Sequence, residues 1–226
     1  QGWPKLTSSL WMASADDGLA AVAYAPCVLA ANIQAKAVKL EVSTDYPFRD
    51  VVQITVTVPE PMKFPLHLRI PAWTTGAVVK TPNLDGTVDG TTAQAGEIAV
   101  AAEKAGGYVT VQGEWTGVKT ISLQLPMPVR LREGFNDSVS IHRGPLVYAL
   151  GIGAEWKKLK DNPRFADWEV YPTTPWNYAL AIDRDHPEQS IQFEERPLGH
   201  APFSEDGAPV NATVKGRQLA AWTIEK

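Results

Sequence analysis

Side-chain catalysis needs residues that meet, so the informative question is which chemistry-bearing residues share a spacing. The four histidines, His67, His142, His186 and His200, are never closer than 14 positions apart. None forms the i, i+4 helical pair with which zinc proteases hold their metal. No ligand spacing typical of a zinc site is present either, so no residue is assigned to a metal. Cys27, the single cysteine, sits in the apolar run Ala25-Pro26-Cys27-Val28-Leu29, where burial raises a thiol's pKa rather than activating it. Its ordinary role there is that of a small buried hydrophobe.

Glycosidases commonly use two carboxylates, which makes acidic pairs worth testing. Glu194 and Glu195 are adjacent and would point to opposite faces of a strand. Asp167 and Glu169 flank Trp168 and could share one face, yet two carboxylates on a solvated face need no catalytic explanation. No catalytic residue is assigned.

Tryptophan is the more telling residue. Trp3, Trp11, Trp73, Trp115, Trp156, Trp168, Trp176 and Trp222 are many for 226 residues. A flat indole can stack on the C–H face of a sugar, whereas the bland role of Trp is to fill cores and seams. Trp156, Trp168 and Trp176, in a proline-rich stretch, are the candidates for a carbohydrate platform. Asn211-Ala212-Thr213 matches the N-glycosylation sequon, a three-residue match that arises often by chance.

The elements that would position these residues read as strands. Val51 to Val58 alternates, with Val52, Ile54, Val56 and Val58 on one side. Phe64 to Ile70 repeats this, with Phe64, Leu66, Leu68 and Ile70 inward and His67 and Arg69 outward. Tyr108–Val111, Lys119–Leu125 and Ser138–Ile141 follow the same rule, and the continuously apolar Leu146–Leu150 suits a strand buried on both faces. Asp16-Asp17-Gly18 should turn an early hairpin between Leu10–Ala13 and Leu19–Tyr24. Asn83, Asp85-Gly86 and Asp89-Gly90 mark a loop-rich insertion, and Thr92 to Ala105 fits a short helix or strand and loop equally. Further strands are expected at Tyr178–Ile182, Ile191–Glu195, Asn211–Lys215 and Leu219–Ile224. Short strands joined by turn residues point to antiparallel sandwiches.

Charge and composition narrow the function. Hydrophobic residues make up 44% of the chain, enough to exclude wholesale disorder. A net charge of -4 argues against a nucleic-acid partner. Lys157, Lys158 and Lys160 are too short a run to reverse this and read as a solvated loop. No membrane segment is expected: the apolar run Leu19 to Ala31 is broken by Pro26 and falls short of the ~20 residues needed.

Several phrases resemble the non-catalytic part of glycoside hydrolase family 127, the former domain-of-unknown-function 1680 group. They are Gln1-Gly2-Trp3-Pro4-Lys5, Ser9-Leu10-Trp11-Met12-Ala13, Gly18-Leu19-Ala20-Ala21-Val22-Ala23-Tyr24-Ala25-Pro26 and Asp45-Tyr46-Pro47-Phe48. Leu66-His67-Leu68-Arg69-Ile70-Pro71-Ala72-Trp73 and Leu125-Pro126-Met127-Pro128-Val129-Arg130-Leu131 fit as well. So do Arg143-Gly144-Pro145-Leu146-Val147-Tyr148-Ala149-Leu150 and Phe165-Ala166-Asp167-Trp168-Glu169-Val170-Tyr171-Pro172.

The resemblance implies a parent with an N-terminal (α/α)-barrel catalytic domain followed by β-sandwiches, acting on β-L-arabinofuranosides and related sugars. It implies a zinc-bound cysteine nucleophile in a Cys-Cys pair just upstream of the segment matching Gln1 to Lys5. Zinc is therefore expected only in the missing catalytic domain, and no cofactor in this chain. Cys27 matches neither member of the pair. The loop from Val78 to Gly90 is longer than in relatives.

The resulting expectation is an all-β chain of antiparallel β-sandwich domains, one complete and the second open to being incomplete. Residues 1–10 would be a remnant of the preceding helical barrel, 11–135 a first sandwich and 136–226 a second β-rich region. The leading function is an accessory, structural region of a bacterial glycoside hydrolase, whose partner is the missing catalytic barrel. The alternatives are a carbohydrate-binding module for plant-wall sugars and an assembly module acting through edge strands.

Overall fold

The computed structural model describes residues 2–81, 86–92, 97–100, 104–162 and 164–222, and the statements below concern those residues. The chain is all-β and divides into two compact units, Gln1–Pro128 with Arg143–Leu146 and Val129–His142 with Val147–Lys226. A short helix, α1 (Gly2–Ser8), opens it with no buried side chain.

In the first unit one sheet contains β1 (Trp11–Ala13), β2 (Leu19–Ala21), β6 (Met62–Lys63), β7 (Leu66–Arg69), β9 (Gly86–Val88), β10 (Thr91–Thr92) and β12 (Tyr108–Trp115). Its order is β1-β2-β7-β12-β9-β10, with β6 also on β12. The other sheet has the order β11-β8-β13-β5-β4-β3, from β3 (Cys27–Ile33), β4 (Lys36–Thr44), β5 (Val51–Thr57), β8 (Val78–Lys80), β11 (Glu97–Ala99) and β13 (Val118–Gln124).

The alternation read from the sequence produces this sandwich directly. On β5, Val52, Ile54 and Val56 are buried while Val51 and Gln53 are exposed. On β13, Ile121 and Leu123 lie opposite Ile54 and Val52 and are equally buried. From the other sheet Leu66, Leu68, Val109 and Val111 join the same apolar cluster. Each such side chain contributes roughly 1.5–3 kcal/mol when fully buried.

Trp115 anchors the cluster: it is stacked on Phe64 at 5.3 Å and donates its indole N–H to the Phe64 carbonyl at 2.9 Å. Thr74, also buried, donates its hydroxyl to the Pro126 carbonyl at 2.8 Å. Both buried polar groups thus find partners, as a dry core requires.

Asp16-Asp17-Gly18 does turn the β1–β2 hairpin. The hairpin then joins the sheet by a parallel pairing, Leu19 opposite Leu66 and Ala21 opposite Leu68, so this sheet is mixed rather than purely antiparallel. The expected loop-rich insertion contains a β9–β10 hairpin. Asp89 and Gly90 supply consecutive positive φ angles of 48° and 79°, the geometry of a two-residue type I′ turn. Asn83 and Asp85 lie outside the described residues. So does part of the ambiguous Thr92–Ala105 stretch, in which β11 forms a strand on β8.

The second unit consists of small sheets. β14 (Val129–Glu133), β15 (Val139–Arg143) and β16 (Leu146–Tyr148) form one, in that order. β17 (Ala154–Asp161) pairs with β18 (Ala166–Pro172), β19 (Tyr178–Leu180) with β22 (Gly216–Gln218), and β20 (Ile191–Glu195) with β21 (Val210–Val214). A single-turn helix, α2 (Pro187–Ser190), precedes β20. Ile141, Ile191 and Val210 are among the second unit's buried apolar residues, and Tyr148 meets Phe193 edge-on at 5.5 Å.

Three expectations are corrected here. Leu146–Leu150 is not buried on both faces: β16 is an edge strand, and Val147 and Leu150 are exposed. Lys157, Lys158 and Lys160 belong to β17 rather than to a loop, because β18 supplies each of them with a cross-strand partner, with a register shift at Leu159. A strand forms at Gly216–Gln218, and of the strand expected at Leu219–Ile224 the described part, Leu219–Trp222, is a turn with a Trp222 N–H to Leu219 carbonyl bond of 3.0 Å, Thr223 and Ile224 lying outside the described residues.

Candidate functional site

His67, on the outer face of β7, is the centre of a polar network. Its Nδ1 lies 3.0 Å from the Thr110 hydroxyl of β12, and its Nε2 lies 3.1 Å from both Asp16 carboxylate oxygens. Ser14 donates to Asp16 at 2.5 Å and accepts from the Gly18 N–H at 3.1 Å. The Ser14 hydroxyl first, and His67 second, hold the Asp16 carboxyl below its ordinary range. An acid, an imidazole and a hydroxyl in a row have the order of a proton relay. Here, however, Thr110 is a residue within strand β12, paired with His67 across the ladder, and its backbone N–H donates to an Asp89 carboxylate oxygen at 2.8 Å. The arrangement pins the β1–β2 turn onto the sheet. Sequence reading placed His67 outward without finding its partners, because Asp16 and Thr110 come from distant segments.

The other histidines stay apart: His142 bonds Ser140 at 2.9 Å and His186 faces Glu188 at 3.7 Å. Among the described residues no three His, Cys, Asp or Glu side chains group closely enough to hold a metal. Cys27 lies half-buried on β3 against the core, and burial raises its thiol pKa, with a Trp11 hydrogen bond opposing.

The acidic pairs are engaged locally. Glu194 takes a forked pair of bonds from Arg196 at 3.1 and 3.2 Å. Glu169 accepts from the Tyr171 hydroxyl at 2.6 Å, which raises the tyrosine pKa. Asp167 lies opposite Lys160 and Glu169 opposite Lys157.

The tryptophans divide by environment. Trp11 and Trp115 are core residues, and Trp73 packs partly buried against the same core. Trp156 and Trp168 are exposed and meet across the β17–β18 hairpin, ring centroids 6.2 Å apart at 81°. Trp176 has a different companion, Trp222, at 5.4 Å and 65°. Asn177 secures that pair by donating its amide to the Leu219 and Trp222 carbonyls at 2.7 and 3.1 Å. The structure therefore joins two of the three platform candidates and seats the third against a turn.

Two sheets closed over one apolar core define the first unit as a β-sandwich module. Residues 18–127 match the family described as beta-L-arabinofuranosidase, GH127 middle domain. Over that span, just under half of the chain, the sequence is similar to the middle domain of that family. Among solved structures it resembles a GH127 beta-L-arabinofuranosidase from Geobacillus stearothermophilus T6, with 20% identity and a TM-score of 0.50 over 73% of this chain and 31% of that one. At that identity the likeness shows the fold. A structure described as a glycoside hydrolase matches at 27% identity and a TM-score of 0.45, over 58% of this chain and 21% of that one. A GH127 beta-arabinofuranosidase matches at 16% and 0.46, over 90% and 31%. The chain spans less than a third of the length of each of these proteins. No curated protein matches it.

Proposed function

We propose that this chain is an accessory, structural β-sandwich region of a bacterial glycoside hydrolase of the β-L-arabinofuranosidase type. Its partner is the N-terminal catalytic barrel of the same parent, which would contribute the cysteine nucleophile and its zinc. The observation that carries this reading is the GH127 middle-domain match over residues 18–127.

The chemistry of the described residues supports the accessory role. The half-buried thiol of Cys27 has its pKa raised, which disfavours the thiolate a nucleophile requires. One member of each carboxylate pair is tied locally, Glu194 to Arg196 and Glu169 to Tyr171, on exposed strands. The purified chain, assayed with an aryl β-L-arabinofuranoside in the presence of zinc and reductant, should release no aryl alcohol above the blank. Turnover that scales with protein concentration would overturn the reading.

A further inference from the structure

The β17–β18 hairpin lies outside the span that matches the middle domain, and its two faces differ chemically. Trp156 pairs across with Val170, and Lys158 with Trp168, so these four share one face. Glu155 pairs with Tyr171, and Lys157 with Glu169, on the other. The charged face suits water. The aromatic face does not, yet Trp156 is 63% exposed, Trp168 48% and Val170 49%.

The two indoles meet at 81°, so they make a corner rather than a stack. Lys158 Nζ stands 5.7 Å from the centre of the Trp168 ring and 2.7 Å from an Asp161 carboxylate oxygen. That leaves the more exposed Trp156 ring as a floor, Trp168 as a wall, and one ammonium–carboxylate pair beside them.

We propose that this corner is a binding site for a neutral carbohydrate. A sugar presents an apolar C–H face suited to a flat indole, and a hydroxylated edge that both exchanges hydrogen bonds with Lys158 and Asp161 and leaves them wet. Charge decides between occupants. The Lys158–Asp161 pair is self-neutralised, which gives no preference for an ionic ligand. A dry protein surface would have to strip water from that pair, a desolvation cost that can exceed its attraction. Lysines along β17 also discourage strand-to-strand pairing with a second copy.

The choice of sugar probe rests on the proposed function, but the binding test is independent of it. The 226-residue chain should be titrated with short arabinan oligosaccharides while the indole N–H resonances are followed by NMR. The Trp156 and Trp168 resonances should shift saturably at millimolar sugar while that of Trp3 stays fixed. Trp156→Ala should weaken binding by about tenfold or more, Lys158→Ala less, and Trp3→Ala not at all. Unchanged thermal melting would show that the variants fold. Absence of saturation, or full retention of binding by Trp156→Ala, would overturn the proposal. So would a wild-type dimer, seen by light scattering, that Trp156→Ala converts to monomer. Loss of the binding response with the hydrolysis assay still blank would leave the accessory reading standing.

Discussion

The Asp16 carboxylate and the His67 imidazole, 51 positions apart in the chain, meet on the outer face of the first unit with Nε2 3.1 Å from each carboxylate oxygen. His67 reaches Thr110 with its other nitrogen. A turn, a strand and a neighbouring strand are thereby tied together outside the apolar core.

This tie should be visible as an acid dependence of stability. The Asp16 carboxyl is lowered in the folded chain from an ordinary value of 3.8, by Ser14 first and His67 second. A lowered folded value means the unfolded chain binds more protons in that window, so stability rises with pH there. The contribution is fully present above about pH 4 and is lost as pH falls through the lower folded value. Asp16→Asn should therefore melt below wild type at neutral pH, and the gap should narrow on acidification. Melting temperatures taken from neutral pH to below pH 3 check this, and a gap constant with pH would exclude it.

Trp115 contributes both volume and a buried N–H donor to the sandwich core. Trp115→Phe leaves a void and removes the donor from the Phe64 carbonyl, and should cost about 2–4 kcal/mol. Urea unfolding should show a lower midpoint at unchanged slope. Trp3→Phe, on the exposed helix α1, should stay within about 0.5 kcal/mol.

Gly18 lies where the chain leaves the first turn and passes against Pro65. A Cβ there would collide with the Pro65 carbonyl oxygen and its ring, and the neighbouring Leu19 N–H binds that same carbonyl at 3.1 Å. Gly18→Ala should destabilise by about 1–3 kcal/mol through forced backbone shift, read in the same urea titration. Gly2→Ala, with open space around it, serves as the comparison.

Cys27 should react slowly. Burial raises its thiol pKa, which lowers the thiolate fraction at neutral pH. Its rate with a disulfide reagent at pH 7 should fall below that of glutathione and approach the denatured-chain rate only in urea. Rapid labelling of the native chain would contradict this.

Much of the first unit was legible because its strands alternate. Val52, Ile54 and Val56, and Leu66 and Leu68, announce both strand and inward face, since a two-residue period leaves one geometry that buries them together. Turn residues were equally readable at Asp16-Asp17-Gly18. The second unit was less legible for a physical reason. Leu146–Leu150 is apolar without being enclosed, since an edge position, not composition, sets its exposure. The Lys-rich β17 carries no alternation of burial and becomes a strand only through β18.

The candidate site shows the same division. Residue types alone nominated Trp156, Trp168 and Trp176, because an indole's chemistry is local to its side chain. Which of them stand together was decided by cross-strand register. That register places Lys158 opposite Trp168 and brings Trp156 within 6.2 Å of it, while an Asn177-held turn gives Trp176 to Trp222. The sequence by itself determined the all-β class, the inward faces of the sandwich and the family resemblance, all of which follow from local periodicity and short phrases. The parallel docking of β2 on β7, the Asp16–His67–Thr110 tie and the tryptophan corner are long-range pairings. They exist only once the chain has closed on itself.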